Sequence, residues 1–342
     1  MSIRIAGQTK RIGLALSGGG FRATAFHLGV FKELKTKGLL WKLDLLSCVS
    51  GGSIAGAFLA KNWGDDTALD RLANYLRTTS IAVSSVVAGV LDPFESRLDK
   101  LAGTYDRDLF HRTTLDQLNG GPRLYLNATN LASGNLFFFV TGENKGAEMG
   151  EHELGTGPAS GFPLARAVAA SSAFPPVFPP MKLDKKDYNV PDVDYITLTD
   201  GGVYDNLGAN PLFRERNALD YALISDAGKP FEIQDRPTEW GSIVLKESID
   251  ILMEQVRGLQ FKRLELCEKA HQKPKGLWFS IDSVEGEAQA GDAAFASAVS
   301  TNLKKLSAAE LAVLTRHAAA LLSSRITTYA AELNEAQCQI HR

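Results

Sequence analysis

The chain has 342 residues, of which 44% are hydrophobic and 22% are charged. These fractions are ordinary for a folded globular protein and exclude a chain that is disordered throughout. With 37 basic against 39 acidic residues the formal net charge is -2, so no basic field is available to hold a phosphate backbone and a nucleic-acid partner is not expected.

The three cysteines, Cys48, Cys267 and Cys338, are widely spaced and form no C-x-x-C or Cys/His ligand pattern. They predict reduced thiols in a cytoplasmic protein, and no metal site. The first eleven residues are polar and basic, which predicts no signal peptide. The longest apolar stretch, at 81–91, is shorter than the ~20 residues that a spanning helix needs. We expect a cytoplasmic protein of one domain, 1–342, whose contact with any membrane is peripheral.

The first elements along the chain are predicted to bring two loops together. The apolar run at 11–16 predicts a strand that ends at Ser17-Gly18-Gly19-Gly20, and the spacing of apolar residues at 21–37 predicts a helix. A second strand is predicted at 43–49, directly before Ser50. Because two strands joined by one helix run parallel, the glycine loop and Ser50 are expected at the same carboxyl edge of the sheet, where ligands bind in open parallel sheets.

Hydrophobic periodicity predicts the remaining elements as helices at 52–63, 65–91, 164–172, 243–270 and 308–333, and strands at 123–127, 135–140, 195–199, 221–225 and 277–281. The valine-rich part at 81–91 has two interpretations, a lid that contacts lipid and a helix buried on the core. Two of the strands end at aspartates, in Asp200-Gly201-Gly202 and Asp226-Ala227-Gly228. The motif-bearing core covers about 11–228, and a mainly helical portion covers about 235–342.

Ser50 is the candidate nucleophile. An apolar run ends at it, two glycines follow, and a small-residue helix pattern begins at once. A serine in a sharp strand-to-helix turn projects its hydroxyl from the edge of the sheet, and small neighbours leave room for a substrate. The match to G-x-S-x-G is partial, because Cys48 occupies the position of the first glycine. An ordinary strand-end turn has the same pattern, so the assignment depends on partners elsewhere in the chain.

Two further loops supply what a serine nucleophile needs. A carboxylate that ends a strand beside two glycines can approach the hydroxyl and accept its proton, which makes Asp200 the candidate base. The successive amides of Gly18-Gly19-Gly20 can turn toward the oxyanion of a tetrahedral intermediate and form an oxyanion hole. Asp226 ends a strand as Asp200 does and stays a rival, whereas Asp205 is predicted to cap a helix.

Histidine is the usual base for a serine nucleophile. For the chain order Ser, Asp, His, only His271, His317 and His341 follow Asp200. Each falls in a helical or terminal segment, and none has a metal-ligand spacing such as H-E-x-x-H. The pattern favours a Ser50–Asp200 pair, and a triad that uses His271 or His317 as the base is the alternative.

Three segments resemble motifs of the patatin-like phospholipases. Ser17-Gly18-Gly19-Gly20-Phe21-Arg22-Ala23 is similar to the family's G-G-G-x-R motif, Val49-Ser50-Gly51-Gly52 to its serine elbow, and Asp200-Gly201-Gly202 to its D-G-G motif. The stretches 127–130 and 170–180 also resemble family segments, so the resemblance covers about 11–228. Cys48 and Ala23 stand where glycine is common in the family.

The resemblance implies an α/β protein with a three-layer α/β/α fold and a mainly parallel central sheet, followed here by additional C-terminal helices. It implies a lipid acyl hydrolase that uses a Ser50–Asp200 dyad and the glycine-loop oxyanion hole without a cofactor, with Arg22 holding the loop in place. The implied substrate is a lipid or phospholipid. A catalytically silent lipid- or protein-binding module of the same fold is the alternative from another class of protein.

Overall fold

The computed structural model describes residues 3–5, 7–81, 97–175, 177–191, 193–228, 230–231 and 240–335. The strands within these ranges are β1 (Ile3–Ile5), β2 (Gln8–Lys10), β3 (Ile12–Leu16), β4 (Leu45–Cys48), β5 (Arg123–Asn130), β6 (Leu136–Gly142), β7 (Lys145–Glu151), β8 (Gly155–Pro158), β9 (Met181–Asp184), β10 (Tyr195–Asp200), β11 (Tyr221–Asp226) and β12 (Lys275–Ser280). The helices are α1 (Gly20–Thr36), α2 (Gly51–Lys61), α3 (Ala68–Thr78), α4 (Arg97–Tyr105), α5 (Leu164–Ser171), α6 (Gly202–Asp205), α7 (Gly241–Lys269), α8 (Asp292–Ala298), α9 (Ala308–Tyr329) and α10 (Glu332–Glu335).

Ten strands form one sheet. Its parallel part has the order β12-β11-β3-β4-β5, and β6, β7 and β8 extend it with antiparallel pairs. β3 and β11 are buried along their whole length, as continuous apolar strands are when both faces of a parallel sheet are covered. The fold is therefore α/β with a parallel centre, as the sequence predicts.

Alternate residues of the central strands contribute to two separate apolar cores. Leu14 and Leu46 pack on one face with α1, α2 and α9, whereas Ala15 and Leu45 pack on the other face with residues of the 207–219 segment and Leu264 of α7. Since helices and loops cover both faces, the protein has the three-layer arrangement that was expected.

Most local predictions from the sequence are confirmed, and two need comment. The predicted helix at 65–91 ends in the structure at Thr78, and the stretch 82–91, with its two interpretations, lies outside the described residues. β10 was predicted as a strand ending at Asp200, with no direction assigned, and in the structure it runs antiparallel to β5. Within the described ranges, no helix has both the length and the apolar character needed to cross a bilayer.

Candidate active site

Ser50 occupies a sharp turn between β4 and α2. Its backbone has φ 51° and ψ -117°, a positive-φ conformation that costs a non-glycine residue about 1–3 kcal/mol and persists only where the surroundings enforce it. Its amide donates to Ser171 Oγ at 3.1 Å. The Ser50 side chain does not cap α2, although it precedes the first helical residue. The hydroxyl is therefore available for chemistry instead of being used in the helix cap.

The glycines around Ser50 are required by close backbone packing. A Cβ atom on Gly51 would overlap the carbonyl oxygen of Gly20, and one on Gly52 would overlap the carbonyl oxygen of Leu16. Thr24 donates its hydroxyl to the Gly51 carbonyl at 2.9 Å, which joins the first turn of α1 to the first turn of α2. The serine turn and the glycine loop thus form one packed unit, and neither tolerates a side chain at the contact.

Asp200 reaches Ser50 because two strands meet head-on along β5. β4 runs parallel to β5 and ends with Cys48 opposite Leu126, whereas β10 runs antiparallel to β5 and ends with Asp200 opposite Ala128. The two strand ends are therefore two residues apart along β5, or ~7 Å at the rise of an extended chain. Between them lies Asn127, which donates to the Cys48 carbonyl at 3.2 Å.

The Asp200 carboxyl is almost completely buried, at 2% exposure. Burial raises its pKa to about 7, and the Gly202 amide, which donates to Oδ1 at 2.7 Å, and the Ser50 hydroxyl offset part of this increase in pKa. Among the described residues, Asp200 Oδ2 meets no donor at normal hydrogen-bond geometry, so the contact with the Ser50 hydroxyl is looser than a normal hydrogen bond. Catalytic hydrogen bonds of this loose kind are usual before a substrate binds.

The glycine loop offers its amides and a favourable field. Gly18 lies beside Ser50, and its amide donates to the Asn206 carbonyl at 3.1 Å. In the described part of the chain, the backbone amides of Gly19 and Gly20 have no such backbone acceptor. α1 and α2 both begin at this loop or at the serine turn, and neither has an acidic residue in its first turn. The positive ends of both helix dipoles are therefore uncompensated near Ser50.

Arg22 is fully buried at the start of α1. Its guanidinium donates to the carbonyls of Ala227 at 2.9 Å, Val299 at 3.1 Å and Ser297 at 3.3 Å. These contacts tie the first turn of α1 to the segment after β11 and to the C-terminal end of α8. The side chain thus fixes the helix that follows the glycine loop, which is compatible with the positioning role that the resemblance implies.

The two rival aspartates are used elsewhere. Asp226 pairs with Arg257 of α7, whose Nε lies 2.6 Å from Oδ2, and its Oδ1 accepts the Gly228 amide at 2.9 Å. Asp205 is buried in α6 and accepts both the backbone amide and the side-chain amide of Asn210 at 2.9 Å. Of the three carboxylates, Asp200 is the one that faces Ser50.

The two described histidines of the triad alternative, His317 and His271, do not take part in the contacts that set the pKa of Asp200. His317 is buried on α9, where its Nε2 hydrogen-bonds to the Ile281 carbonyl at 2.9 Å, and burial lowers its pKa. His271 is exposed just after α7. In the described part of the chain, the groups that set the pKa of Asp200 are its burial, Gly202 and Ser50, and they include no histidine. His341 lies outside the described residues.

Two residues, Ser171 and Asn206, support the site without having been predicted. Ser171 accepts the Ser50 amide and donates to the Asn127 carbonyl at 2.6 Å, so it links α5, β5 and the serine turn. The Asn206 carboxamide lies against both Gly18 and Gly202. A Cβ atom on Gly18 would overlap the Asn206 Oδ1, and a Cβ atom on Gly202 would lie only 2.6 Å from it. Ser171 falls in the 170–180 stretch and Asn206 follows D-G-G closely, so proximity to a motif was the available signal.

The match to known proteins agrees with this geometry. A family model described as Patatin-like phospholipase matches residues 14–213, which is more than half of the chain and contains the glycine loop, Ser50 and Asp200. The protein therefore belongs to the patatin-like phospholipases, a family of lipid ester hydrolases. A comparison with the curated proteins gives no significant match.

Solved structures with the same fold include human GIVD cytosolic phospholipase A2, with a TM-score of 0.60 and 12% sequence identity over 97% of this chain and 63% of that one. The complex of that enzyme with methyl gamma-linolenyl fluorophosphonate has a TM-score of 0.59 and 13% identity, over 96% of this chain and 59% of the other. At such identity the similarity concerns the fold, and the chain spans less than two thirds of the length of the enzyme.

Proposed function

We propose that the protein is a serine acyl hydrolase that cleaves lipid ester bonds through an acyl intermediate on Ser50, with Asp200 as the base. The observation that carries the proposal is the head-on approach of β4 and β10 along β5. It brings together a serine hydroxyl that caps no helix and a buried carboxylate whose Oδ2 has no hydrogen-bond donor among the residues that the structure describes. A dyad needs this pair of groups and no third residue.

In the proposed acylation step, Ser50 Oγ attacks the ester carbonyl carbon while Asp200 Oδ2 accepts the hydroxyl proton. The carbonyl oxygen becomes an oxyanion beside the glycine loop, where the amides of Gly19 and Gly20 and the positive ends of α1 and α2 stabilise it. Gly18 would add a third donor by giving up its bond to Asn206. The C–O bond to the alcohol then breaks, and the alcohol takes the proton from Asp200. Water repeats the sequence, releases the fatty acid and restores Ser50.

The pKa of Asp200 supports this role. Burial raises the pKa to about 7, so a large share of the carboxyl is ionised near neutral pH and still basic enough to accept a proton. An exposed aspartate would be ionised but a much weaker base. The buried position therefore matches the strength of the base to the reaction, and no histidine is required.

Covalent labelling tests the nucleophile directly. A fluorophosphonate probe is expected to label the wild-type protein at Ser50 and to leave Ser50→Ala unlabelled, with loss of nitrophenyl ester and phospholipid hydrolysis. Ser160→Ala, at an exposed turn after β8, is the matched control and keeps both signals. Absence of labelling in the wild type would instead support the catalytically silent module.

The triad alternative predicts a different pattern of variants. If His271 or His317 were the base, its replacement by alanine would abolish hydrolysis. The dyad predicts near-normal rates per folded molecule for both variants, with His317→Ala checked by circular dichroism because its side chain is buried. Near-complete loss of activity in either folded variant would contradict the dyad mechanism.

We infer that the substrate is a lipid or phospholipid and that the protein meets it as a cytoplasmic enzyme at a membrane surface. Support comes from the family match and from the absence of a spanning helix among the described residues. The test is hydrolysis of phospholipid vesicles compared with a dispersed short-chain ester. A protein that cleaves the dispersed ester and spares every vesicle lipid would contradict the lipid assignment while leaving the nucleophile intact.

A further inference from the structure

The longest helix presents an apolar line to solvent. α7 carries Leu245, Leu252, Leu259 and Leu266 at intervals of seven residues, and these side chains are 58%, 64%, 70% and 57% exposed. A single exposed leucine needs no explanation, because apolar atoms make up much of any protein surface. Four in one line on one helix form a contiguous apolar stripe of the kind that marks an interaction surface.

The opposite side of α7 is fixed to the body of the protein. Leu264 is buried against the sheet, Arg257 pairs with Asp226 at 2.6 Å, and the Met253 Cε lies 3.1 Å from the Cβ position of Gly202. These contacts hold the helix to the protein over residues 253–264. The leucine line therefore faces outward as a consequence of how α7 is attached.

The spacing of the line indicates what kind of partner it fits. A seven-residue interval is the spacing of one position in a heptad repeat, and the partly exposed Ile249 and Val256 supply the companion apolar position four residues after a leucine. Such a pattern keeps one seam facing a second helix. A lipid surface needs no heptad and is favoured by an excess of basic residues, whereas α7 contains five basic and five acidic residues.

The charges along α7 indicate the partner and its direction. The first half, Gly241–Glu254, contains one lysine and three carboxylates, for a net charge of -2. The second half, 255–269, contains three basic and two acidic residues besides the inward-facing Arg257, for a net charge of +1. We propose that two copies of this chain associate through α7, antiparallel and related by a two-fold axis. In this arrangement the acidic half of each α7 lies against the basic half of the other, whereas in a parallel pair halves of the same charge would lie side by side.

The two-fold axis then passes beside Gln255 and Val256, midway along the leucine line. Leu252 packs against Leu259 of the second copy, and Leu245 packs against Leu266 of the second copy. Every leucine of the line gains a partner, as an isologous interface requires. The interface lies on the outward side of the helix that carries Arg257 and Met253, so it leaves the inward contacts with Asp226 and Gly202 in place.

Sedimentation of the full chain over a range of concentrations tests the association. The wild-type mass is expected to rise from 37.0 kDa to twice that value. The double variant Leu252→Glu/Leu259→Glu is expected to stay monomeric, and Leu131→Glu, an equally exposed leucine in the turn after β5, is expected to behave as wild type. A wild type that is monomeric throughout, or a double variant that still dimerises, overturns the proposal. Wild-type monomers that bind anionic vesicles through the same leucines would also overturn it and identify a lipid surface as the occupant.

Cysteine cross-linking tests the direction and does not depend on the charged variants. In a background with Cys267 and Cys338 changed to serine, Gln255→Cys is expected to form a disulfide-linked dimer, because residue 255 lies beside its own copy at the axis. Lys269→Cys is the matched control, since an antiparallel pair separates the two copies of residue 269 by ~40 Å along the helix. Equal cross-linking at both positions indicates a parallel pair, and cross-linking at neither indicates no pair; both results contradict the proposal.

Discussion

Asp200 and Asp226 are both buried and each ends a strand, and in each an oxygen accepts the amide two residues further on, from Gly202 at 2.7 Å and from Gly228 at 2.9 Å. Their other oxygens differ. Asp226 Oδ2 lies 2.6 Å from the Arg257 guanidinium, whereas Asp200 Oδ2 has no hydrogen-bond donor in the described part of the chain, and the Asp200 carboxyl faces Ser50. The same local turn can therefore hold a carboxylate for an ion pair or a carboxylate for catalysis. Which role it has depends on a residue distant in the sequence.

The largest expected effect separates the two aspartates by activity. Asp200→Asn keeps the size of the side chain and removes the base, so kcat/KM for a nitrophenyl ester is expected to fall by about 10³-fold or more. Asp226→Asn is expected to retain activity within about 3-fold per folded molecule, because its carboxylate does not reach the reacting atoms. Equal losses in the two variants would remove the distinction between them.

Asp200→Asn is also expected to stabilise the folded protein. The pKa of Asp200 in the folded protein, about 7, lies above its ordinary value of 3.8, so the ionised side chain opposes folding increasingly as the pH rises from about 4 to about 7 and by a constant amount above that. Asp200→Asn removes this cost and should raise the free energy of unfolding at pH 8 by up to about 4 kcal/mol. Urea denaturation at pH 5 and pH 8 measures it; a gain that is no larger at pH 8 would contradict the buried charge.

Replacing Asp226 is expected to have the opposite effect on stability. Asp226→Asn removes the fully buried carboxylate that pairs with the mostly buried Arg257 and leaves it only Glu254 at 2.9 Å and Asp282 at 3.7 Å, which are more exposed, so the free energy of unfolding should fall by up to about 3 kcal/mol. Urea denaturation of the variant measures the loss. Asp282→Asn is a control, because that carboxylate lies 3.7 Å from the same guanidinium and is 42% exposed, so its removal should cost far less.

The pH profile of the wild type sharpens the assignment of the base. Protonated Asp200 cannot accept the Ser50 proton, so kcat/KM should fall about tenfold per pH unit below about pH 7 and level off above it. Steady-state rates between pH 5 and pH 9 on an uncharged ester measure this limb. His317→Ala should show the same limb. A profile that is flat down to pH 5 would argue against a buried carboxylate as the base.

The smallest expected effect concerns the residue that joins the glycine loop to D-G-G. Asn206→Ala removes the carboxamide that fills the space beside Gly18 and Gly202, so kcat should fall about tenfold through looser positioning while KM changes little. Steady-state kinetics provide the split between kcat and KM. Asn119→Ala, at an exposed position, is the control. A change in KM alone would indicate a substrate contact instead.

The sequence predicts the parts of the site that are local. The glycine loop, the serine turn and the strands before them follow from apolar runs ending at small residues, and the structure has β3, β4 and α1 at the expected places. The choice between Asp200 and Asp226 is not local, because it depends on Arg257, which is 31 residues from Asp226. The same holds for the antiparallel direction of β10, which is set by pairing with β5 about 70 residues earlier.

The supporting hydrogen bonds were equally hard to predict. Ser171 acts on Ser50 across 121 positions in sequence, and the pattern of small residues around it predicts only a helix. The departure at Cys48 has a simple explanation in packing, since a Cβ on Gly56 of α2 would overlap the Cys48 sulfur. Close packing against α2 leaves room only for a small side chain at position 48, and both cysteine and glycine are small enough.

The burial of Cys48 has a practical consequence for selective labelling. The Cys48 thiol is fully buried, and burial raises its pKa, so it stays protonated. A maleimide can therefore neither reach it nor find a reactive thiolate there, although Cys48 is two residues from Ser50. Cys267 on α7 is partly exposed and is expected to react. With Cys338 changed to serine, a fluorophore on Cys267 can report contacts of α7, and a fluorophosphonate probe can report how much of Ser50 is free to react, while Cys48 beneath the serine turn stays unmodified.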